Sequence, residues 1–342
     1  MNKFSWYEAK SVNDAIAQAN TTVSEEIYNP SGKAAVFKSG GIDLLDMIKE
    51  GLIQPSMVVN VRNITGLDQI NFDRENGLVI GANVTLAEIE FNKSILENYF
   101  ALHQAVAHAA TPQLRNMSTV AGNLAQRTRC WYFRSIDHAC FRKGGDRCFA
   151  RHSENGQNEN HAIFENGSCV SVYASSIATA LLAYDASVVI VNSSGEAKTL
   201  PLAEFFVSPG NDPSRENILN TGDLITEISI PKQEANVKSF YIKQGARESY
   251  DWSIADVAIV SNMEGNRCVN PRIVLGSAAP VPIRAYRAEQ AIANKEINEG
   301  SAKKAAKAAM EQARPLSMNG YKVPLFESII KRALLEIVGL WK

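Results

Sequence analysis

Excess charge of either sign is missing from this chain. Its 342 residues hold 35 lysines and arginines against 36 aspartates and glutamates, a formal net charge of -1. That balance gives a nucleic acid or an anionic membrane no electrostatic reason to bind, and no nucleic-acid partner is expected. Long apolar runs are missing too. None approaches the roughly 20 residues a membrane span requires, so no membrane insertion is expected. The opening stretch, MNKFSWYEAKSVNDAIAQAN, lacks an apolar h-region and does not read as a secretory signal. An N-x-S/T triplet such as that at Asn83 then reads as chance. Cysteine is scarce, five in all, which excludes a small disulfide-stapled scaffold. At 45% hydrophobic and 21% charged the composition is that of a globular protein, and the length predicts two or three domains.

The little cysteine there is lies crowded. Cys130, Cys140, Cys148 and Cys169 follow one another as C-x9-C-x7-C-x20-C, and Cys268 stands apart. No C-x2-4-C zinc knuckle and no C-x2-C-x2-C ferredoxin run occurs. Four convergent thiolates can still hold a [4Fe-4S] cluster, which needs four sulfurs and no fixed spacing. Spacing ranks a metal or cluster above unligated thiols, with incidental loop cysteines as the alternative. The same stretch carries Arg127, Arg129, Arg134, Arg142, Lys143, Arg147 and Arg151. Such charge stabilises thiolates, or forms a solvated face, or docks an acidic partner.

Along the chain, KAAVFKSGGIDLLDMIKEG reads as strand, glycine turn and helix, and Pro55–Ile64 as a second strand, a small parallel βαβ unit. Ile95–Asn116 reads as one long helix ended by Pro112. A helix and a hairpin follow the cysteine stretch, then further strands, then two amphipathic C-terminal helices. SGGID lacks the G-x-G-x-x-G and G-x-x-x-x-G-K-[ST] patterns, so the Rossmann and P-loop readings fail. On its own the turn is a weak phosphate site, and TVAGNL is equally weak.

Together these segments resemble the flavin-binding subunit of the xanthine dehydrogenase and molybdenum hydroxylase family. The resemblance rests on Gly40-Gly41-Ile42-Asp43-Leu44-Leu45, on Ile80-Gly81-Ala82 with Thr85, and on Arg115, Asn116, Thr119, Gly122, Asn123 and Leu124. It rests further on Gly222, Leu224 and Ile225 before Ile228–Pro231, and on Tyr241, Lys243 and Arg247. The matches run in order over nearly the whole chain. The cysteine insert, opening at Leu124–Phe133, is similar to that of 4-hydroxybenzoyl-CoA reductase and of bacterial aldehyde oxidoreductases, where the added loop binds a [4Fe-4S] cluster.

The resemblance implies an α+β protein: a vanillyl-alcohol oxidase-like (PCMH-type) FAD-binding fold followed by an antiparallel sheet and helical bundle like the CO dehydrogenase flavoprotein C-terminal domain. A small lobe is expected over residues 1–62, a larger lobe over 63–232 with the cluster insert at about 125–170, and a C-terminal domain over 233–342. FAD is expected with its pyrophosphate on Lys38, Ser39, Gly40, Gly41, Ile42 and Asp43. Thr111, Thr119, Gly122, Asn123 and Ser176 would add contacts, Leu224 and Ile225 would pack near the isoalloxazine ring, and Lys243 would face its polar edge. Cys130, Cys140, Cys148 and Cys169 would ligate the [4Fe-4S] cluster. No residue of this chain is expected to catalyse hydroxylation. A large molybdopterin subunit would oxidise the substrate, and a small [2Fe-2S] subunit would deliver electrons. The expected compartment is the cytoplasm, or the periplasm where a partner subunit carries an export signal.

Two departures from the family pattern carry an alternative. Ile42 stands where the family has Thr, and Ser175-Ser176 where it has Ser-Asp. A subunit with weakened or lost FAD binding would be a silent scaffold. A self-sufficient flavin oxidase and a zinc module are the other rivals.

Overall fold

The computed structural model describes residues 2–165, 167–248 and 250–341. Three sheets follow one another along the chain. The first is small and parallel. Ser5–Glu8 and Ala35–Lys38 flank Met57–Asn60, with Lys38 and Glu8 both in register with Asn60. The helix Ile42–Lys49 makes the crossover between Ala35–Lys38 and Met57–Asn60, as the βαβ reading of this segment requires. One face of this sheet packs Val36 and Val58 on Leu44, Met47 and Ile48, and that cluster extends to Phe133 and Cys140 of the cysteine stretch.

The second sheet is antiparallel, ordered Ile70–Asp73, Gly77–Gly81, Leu224–Ile230, Ser187–Val191, Ala197–Pro201. The third is antiparallel too. It is built on Val237–Gln244, Ala255–Glu264 and Arg267–Gly276, with short Ile283–Arg284 and Lys295–Glu296 at its edge. Helices Tyr286–Ile292, Glu299–Met310 and Lys322–Ile337 share a core with it. The helix Ser176–Ala183 packs on Ala255–Glu264 and Arg267–Gly276 of the third sheet and shares an apolar core with residues of the second. Every residue from Ile177 to Ala183 is buried, the pattern of a helix covered on all sides.

The stretch Ile95–Asn116 is not one helix. It forms three short ones, Lys93–Asn98, Phe100–Ala107 and Pro112–Met117. Tyr99 leaves helical geometry at φ -134°, and Ala110 takes a left-handed φ of 48°. Pro112 opens the last helix instead of ending one, because Thr111 caps it and an N1 position needs no N–H. Among the described residues no helix is long and apolar enough to cross a membrane.

Candidate functional site

The glycine turn and the TVAGNL segment meet. Gly41 has φ 82°, in the left-handed region that a side chain resists, and it starts the helix Ile42–Lys49 without any side-chain cap. The first-turn N–H groups of that helix therefore have no capping side chain. A Cβ on Gly40 would stand 2.2 Å from the Met117 carbonyl oxygen, so only glycine lets the two segments close. Ser39 locks them. Its hydroxyl donates to Asn83 Oδ1 at 2.7 Å and lies 2.9 Å from Thr119 Oγ1. Asn83 in turn donates to the Val61 carbonyl at 2.7 Å, and Arg62 donates to the Asn83 carbonyl. A cavity of about 160 Å³ is left between them, bordered by Lys38–Asp43, Thr119, Gly122, Asn123 and Arg129. Its chemistry is that of an anion cradle: free backbone donors at a helix start, with Lys38 and Arg129 on its walls.

Six of the expected cofactor residues, Lys38 to Asp43, thus stand together with Thr119, Gly122 and Asn123. The others stand elsewhere. Thr111 caps its own helix, bonding Leu114 N at 3.3 Å. Ser176 opens the buried helix, whose cap Ser175 donates to Asn123 Oδ1. Leu224 packs with Val59, Val61 and Ile64, and Ile225 lies in the core shared by the second sheet and its helices. Lys243 borders a separate cavity of about 250 Å³ with Arg115 and Arg247. Its ammonium donates to the carbonyls of His108 at 2.8 Å and Asp251 at 2.5 Å. Burial lowers the Lys243 pKa, against the pull of Asp256.

The four cysteines converge. Cys130, Cys140, Cys148 and Cys169 all border one small pocket, walled by Tyr132, Phe133, Phe141 and Phe149. Three of them begin short helical turns: Cys130 before Trp131–Arg134, Cys140 before Phe141–Lys143, Cys148 before Phe149–His152. That position turns backbone N–H groups onto each sulfur, from Phe133 and Tyr132 to Cys130, from Arg142 to Cys140, and from Arg151, Val170 and Ala150 to Cys148. Burial pushes the Cys130 thiol up to about 12, with the charge of Cys169 adding to it. Burial likewise raises Cys140 and Cys148. Without a cation these groups stay protonated, so none is poised as a free nucleophile. Among the described residues no group of three or more His, Cys, Asp or Glu side chains is placed to hold a metal ion. Cys268 lies apart, buried in its strand beside Ser261.

The arginines of this stretch are divided. Arg147 is exposed, but Arg127 and Arg142 are among the most buried side chains of the protein. Glu216, 1% exposed, stands between them, 2.6 Å from Arg127 Nε and 3.3 Å from Arg142 Nη1. The Arg127 contact is an ion pair without hydrogen-bond geometry. Arg142 Nε reaches Cys169 Sγ at 3.2 Å. The backbone N–H of Arg127 donates to Asp43 Oδ2 at 2.8 Å, and Arg134 bonds Asp43 Oδ1 at 2.6 Å, where Arg129 also pairs. Burial pushes the Asp43 carboxyl up, and Arg134 and Arg127 pull it back. The Asp43 carboxylate thus ties the glycine turn to the cysteine stretch.

Sequence reading missed Glu216 and His161. Glu216 is a lone acid in a loop with no motif around it. His161 is 3% exposed, and its Nε2 lies 3.2 Å from Cys130 Sγ. Burial and the charge of Lys322 push it down to about 4, so the ring is neutral near pH 7. Its carbonyl accepts from Lys322 Nζ at 3.0 Å and Asn319 Nδ2 at 3.1 Å.

Comparison with known proteins follows the same lines. Residues 2–233 match the family described as FAD binding domain in molybdopterin dehydrogenase, and residues 240–337 match the CO dehydrogenase flavoprotein C-terminal domain. The chain is 30% identical to the aldehyde oxidoreductase FAD-binding subunit PaoB of Escherichia coli over 321 residues, 93% of this chain and 96% of that one. It is 24% identical to the carbon monoxide dehydrogenase medium chain of Hydrogenophaga pseudoflava, covering 97% and 96%. In fold it is similar to the solved carbon monoxide dehydrogenase of Hydrogenophaga pseudoflava that lacks the Mo-pyranopterin moiety, with TM-score 0.73, 23% identity and coverage of 100% and 99%. Quinoline 2-oxidoreductase from Pseudomonas putida 86 gives TM-score 0.72 at 21% identity, covering 99% of each chain.

Proposed function

The chain belongs to the FAD-binding subunits of the molybdenum hydroxylases, oxidoreductases built from several subunits, and from that premise we propose that it carries electrons from [2Fe-2S] clusters on a small subunit through FAD to an external acceptor, with a [4Fe-4S] cluster of its own. A large molybdopterin-binding subunit performs the oxidation, and an aldehyde is the proposed substrate class, on the likeness to an aldehyde oxidoreductase subunit. The proposed organisation is a small lobe to residue 62, a large lobe to 232 and a C-terminal domain beyond.

Bound flavin supplies the conversion between one-electron and two-electron chemistry. The chain's own part is to hold and orient it. The uncapped helix start at Gly41, with the backbone of Lys38–Asp43, takes the pyrophosphate, and Thr119, Gly122 and Asn123 close the opposite wall. Lys243, Ser176 and Thr111 are proposed contacts further along the cofactor, and Leu224 and Ile225 its apolar neighbours. Ile42 costs a hydroxyl donor, but backbone donors at that position remain.

The observation that carries the cluster is the convergence of four sulfurs on one pocket, three of them with helical-turn N–H groups directed at them. Hydrogen bonds to the sulfurs and nearby cations are what an anionic cluster needs.

The test is an absorbance spectrum of anaerobically purified protein with flavin, iron and zinc assayed after denaturation. About one FAD and about four irons per chain, with bands that bleach on dithionite, are expected. Iron without flavin would replace this reading with the scaffold. Zinc, or no metal, would remove the cluster.

A further inference from the structure

We infer that His161 and Arg142 set the reduction potential of the group held by the four cysteines, each by giving an N–H to one ligand sulfur. The inference rests on the cluster reading above and concerns two residues that are not ligands. Arg142 has no lone pair to offer a metal. His161 does not border the pocket that all four sulfurs share.

The geometry is paired. His161 Nε2 stands 3.2 Å from Cys130 Sγ, and Arg142 Nε stands 3.2 Å from Cys169 Sγ, sharing its N–H with Ser171 Oγ at 3.2 Å. A sulfur bound to iron has no proton to give, so at Cys130 the ring nitrogen must be the donor. That assigns the imidazole hydrogen to Nε2 and leaves Nδ1, which meets no hydrogen-bond partner, as the lone-pair nitrogen. Arg142 is a donor in any state.

The two donors are held differently. At His161 the backbone is held, its carbonyl accepting from Lys322 and Asn319. The Arg142 guanidinium itself is held by Glu216 at 3.3 Å and by the carbonyls of Pro213 at 3.3 Å and Arg215 at 3.2 Å. Arg142 therefore does not have to reorganise when charge arrives. Reduction adds one electron and no proton to the cluster, and the added charge spreads onto the sulfurs. A donor aimed at a sulfur stabilises that reduced state more than the oxidised one, which raises the potential. Cys148 receives backbone N–H groups, and Cys140 a backbone N–H with the charges of Lys143 and Arg142 nearby.

The experiment is a redox titration of the full chain, followed by electron paramagnetic resonance, on wild type, His161→Phe and His161→Gln. Phe keeps a planar ring without an N–H, and Gln keeps an N–H of similar reach. His161→Phe is expected to shift the reduction equilibrium about tenfold toward the oxidised form, about 59 mV downward for one electron. His161→Gln is expected to hold most of the wild-type potential. After exchange into heavy water, a deuteron coupled to the reduced cluster is expected in wild type and lost in His161→Phe. Arg142→Lys, which keeps the cation and moves the donor, is expected to lower the potential as well. Full iron content with an unmoved potential in His161→Phe overturns the inference and leaves the cluster standing. A wild-type chain without a four-iron cluster overturns both.

Discussion

Replacing Glu216 by Gln removes one negative charge from between two cations and changes almost nothing in shape. Glu216 is 1% exposed, and the side chains of Arg127 and Arg142 are 2% and 1% exposed. At an effective dielectric near 20, each contact at about 3 Å carries roughly 5 kcal/mol of Coulomb attraction. Desolvation takes most of that back while the group is intact, so the net worth of the triad is small. Breaking it is different, because two arginines are left buried and facing each other without their anion. The expected loss is about 3–5 kcal/mol. For a unit the size of the FAD-binding part that is roughly 6–20 °C in Tm. The assay is thermal unfolding followed by flavin fluorescence, with iron counted before heating. Flavin retention is expected to suffer, and with it the iron of the proposed cluster, since the Arg127 backbone touches Asp43 and Arg142 touches Cys169. Glu75→Gln is the control. Its ion pair with Lys232 also measures 2.6 Å, but the two side chains are 79% and 45% exposed, and no measurable change in Tm is expected. Equal effects from the two substitutions, or an E216Q variant within 2 °C of wild type, would refute the burial argument.

Lys322 gives a pH signature. Burial pushes its ammonium down to about 7 from 10.5, so between those values unfolding takes up a proton and stability rises with pH. Chemical denaturation of wild type against Lys322→Met is expected to show a difference that changes by about 1.4 kcal/mol per pH unit between pH 7 and 9, favouring wild type as pH rises. Gly40→Ala drives a methyl into the Met117 carbonyl. About 1–3 kcal/mol of overpacking is expected to weaken flavin binding roughly 5- to 150-fold, read by fluorescence titration of the apo-protein. Asp43→Asn unties Arg129 and Arg134 from the glycine turn. Faster amide exchange across residues 127–134 is expected, together with weaker flavin retention.

The fold was legible where local signals agreed. Strand, glycine turn and helix at Ala35–Lys49 needed only short-range chemistry, and Gly41 sits in the left-handed geometry that its residue type allows. The helix that broke, Ile95–Asn116, carried no glycine or proline before Pro112, and the break at Tyr99 comes from tertiary packing against Phe72 and Tyr184. The cysteines were conspicuous in the sequence, but not that Cys130, Cys140 and Cys148 begin helical turns, because turns of three or four residues leave no periodic trace. Burial of Arg127 and Arg142 was illegible for another reason. Their partner Glu216 is more than 70 residues away in sequence, and only the folded chain brings the charges together. His161 was missed on the same ground, lying 31 residues from the sulfur it touches.

One feature bears on how such a protein is made. The cysteine stretch is fastened to the helix Ile42–Lys49 through Asp43, to the loop before Leu224–Ile230 through Glu216, and to the start of the helix Lys322–Ile337 through Asn319 and Lys322. Cys140, Cys148 and Cys169 are only 7–8% exposed once it is closed. If iron fills the proposed centre, it has to reach these sulfurs before the stretch closes over them. Loading of the proposed centre would then be a step of folding, completed before three parts of the chain dock on one another.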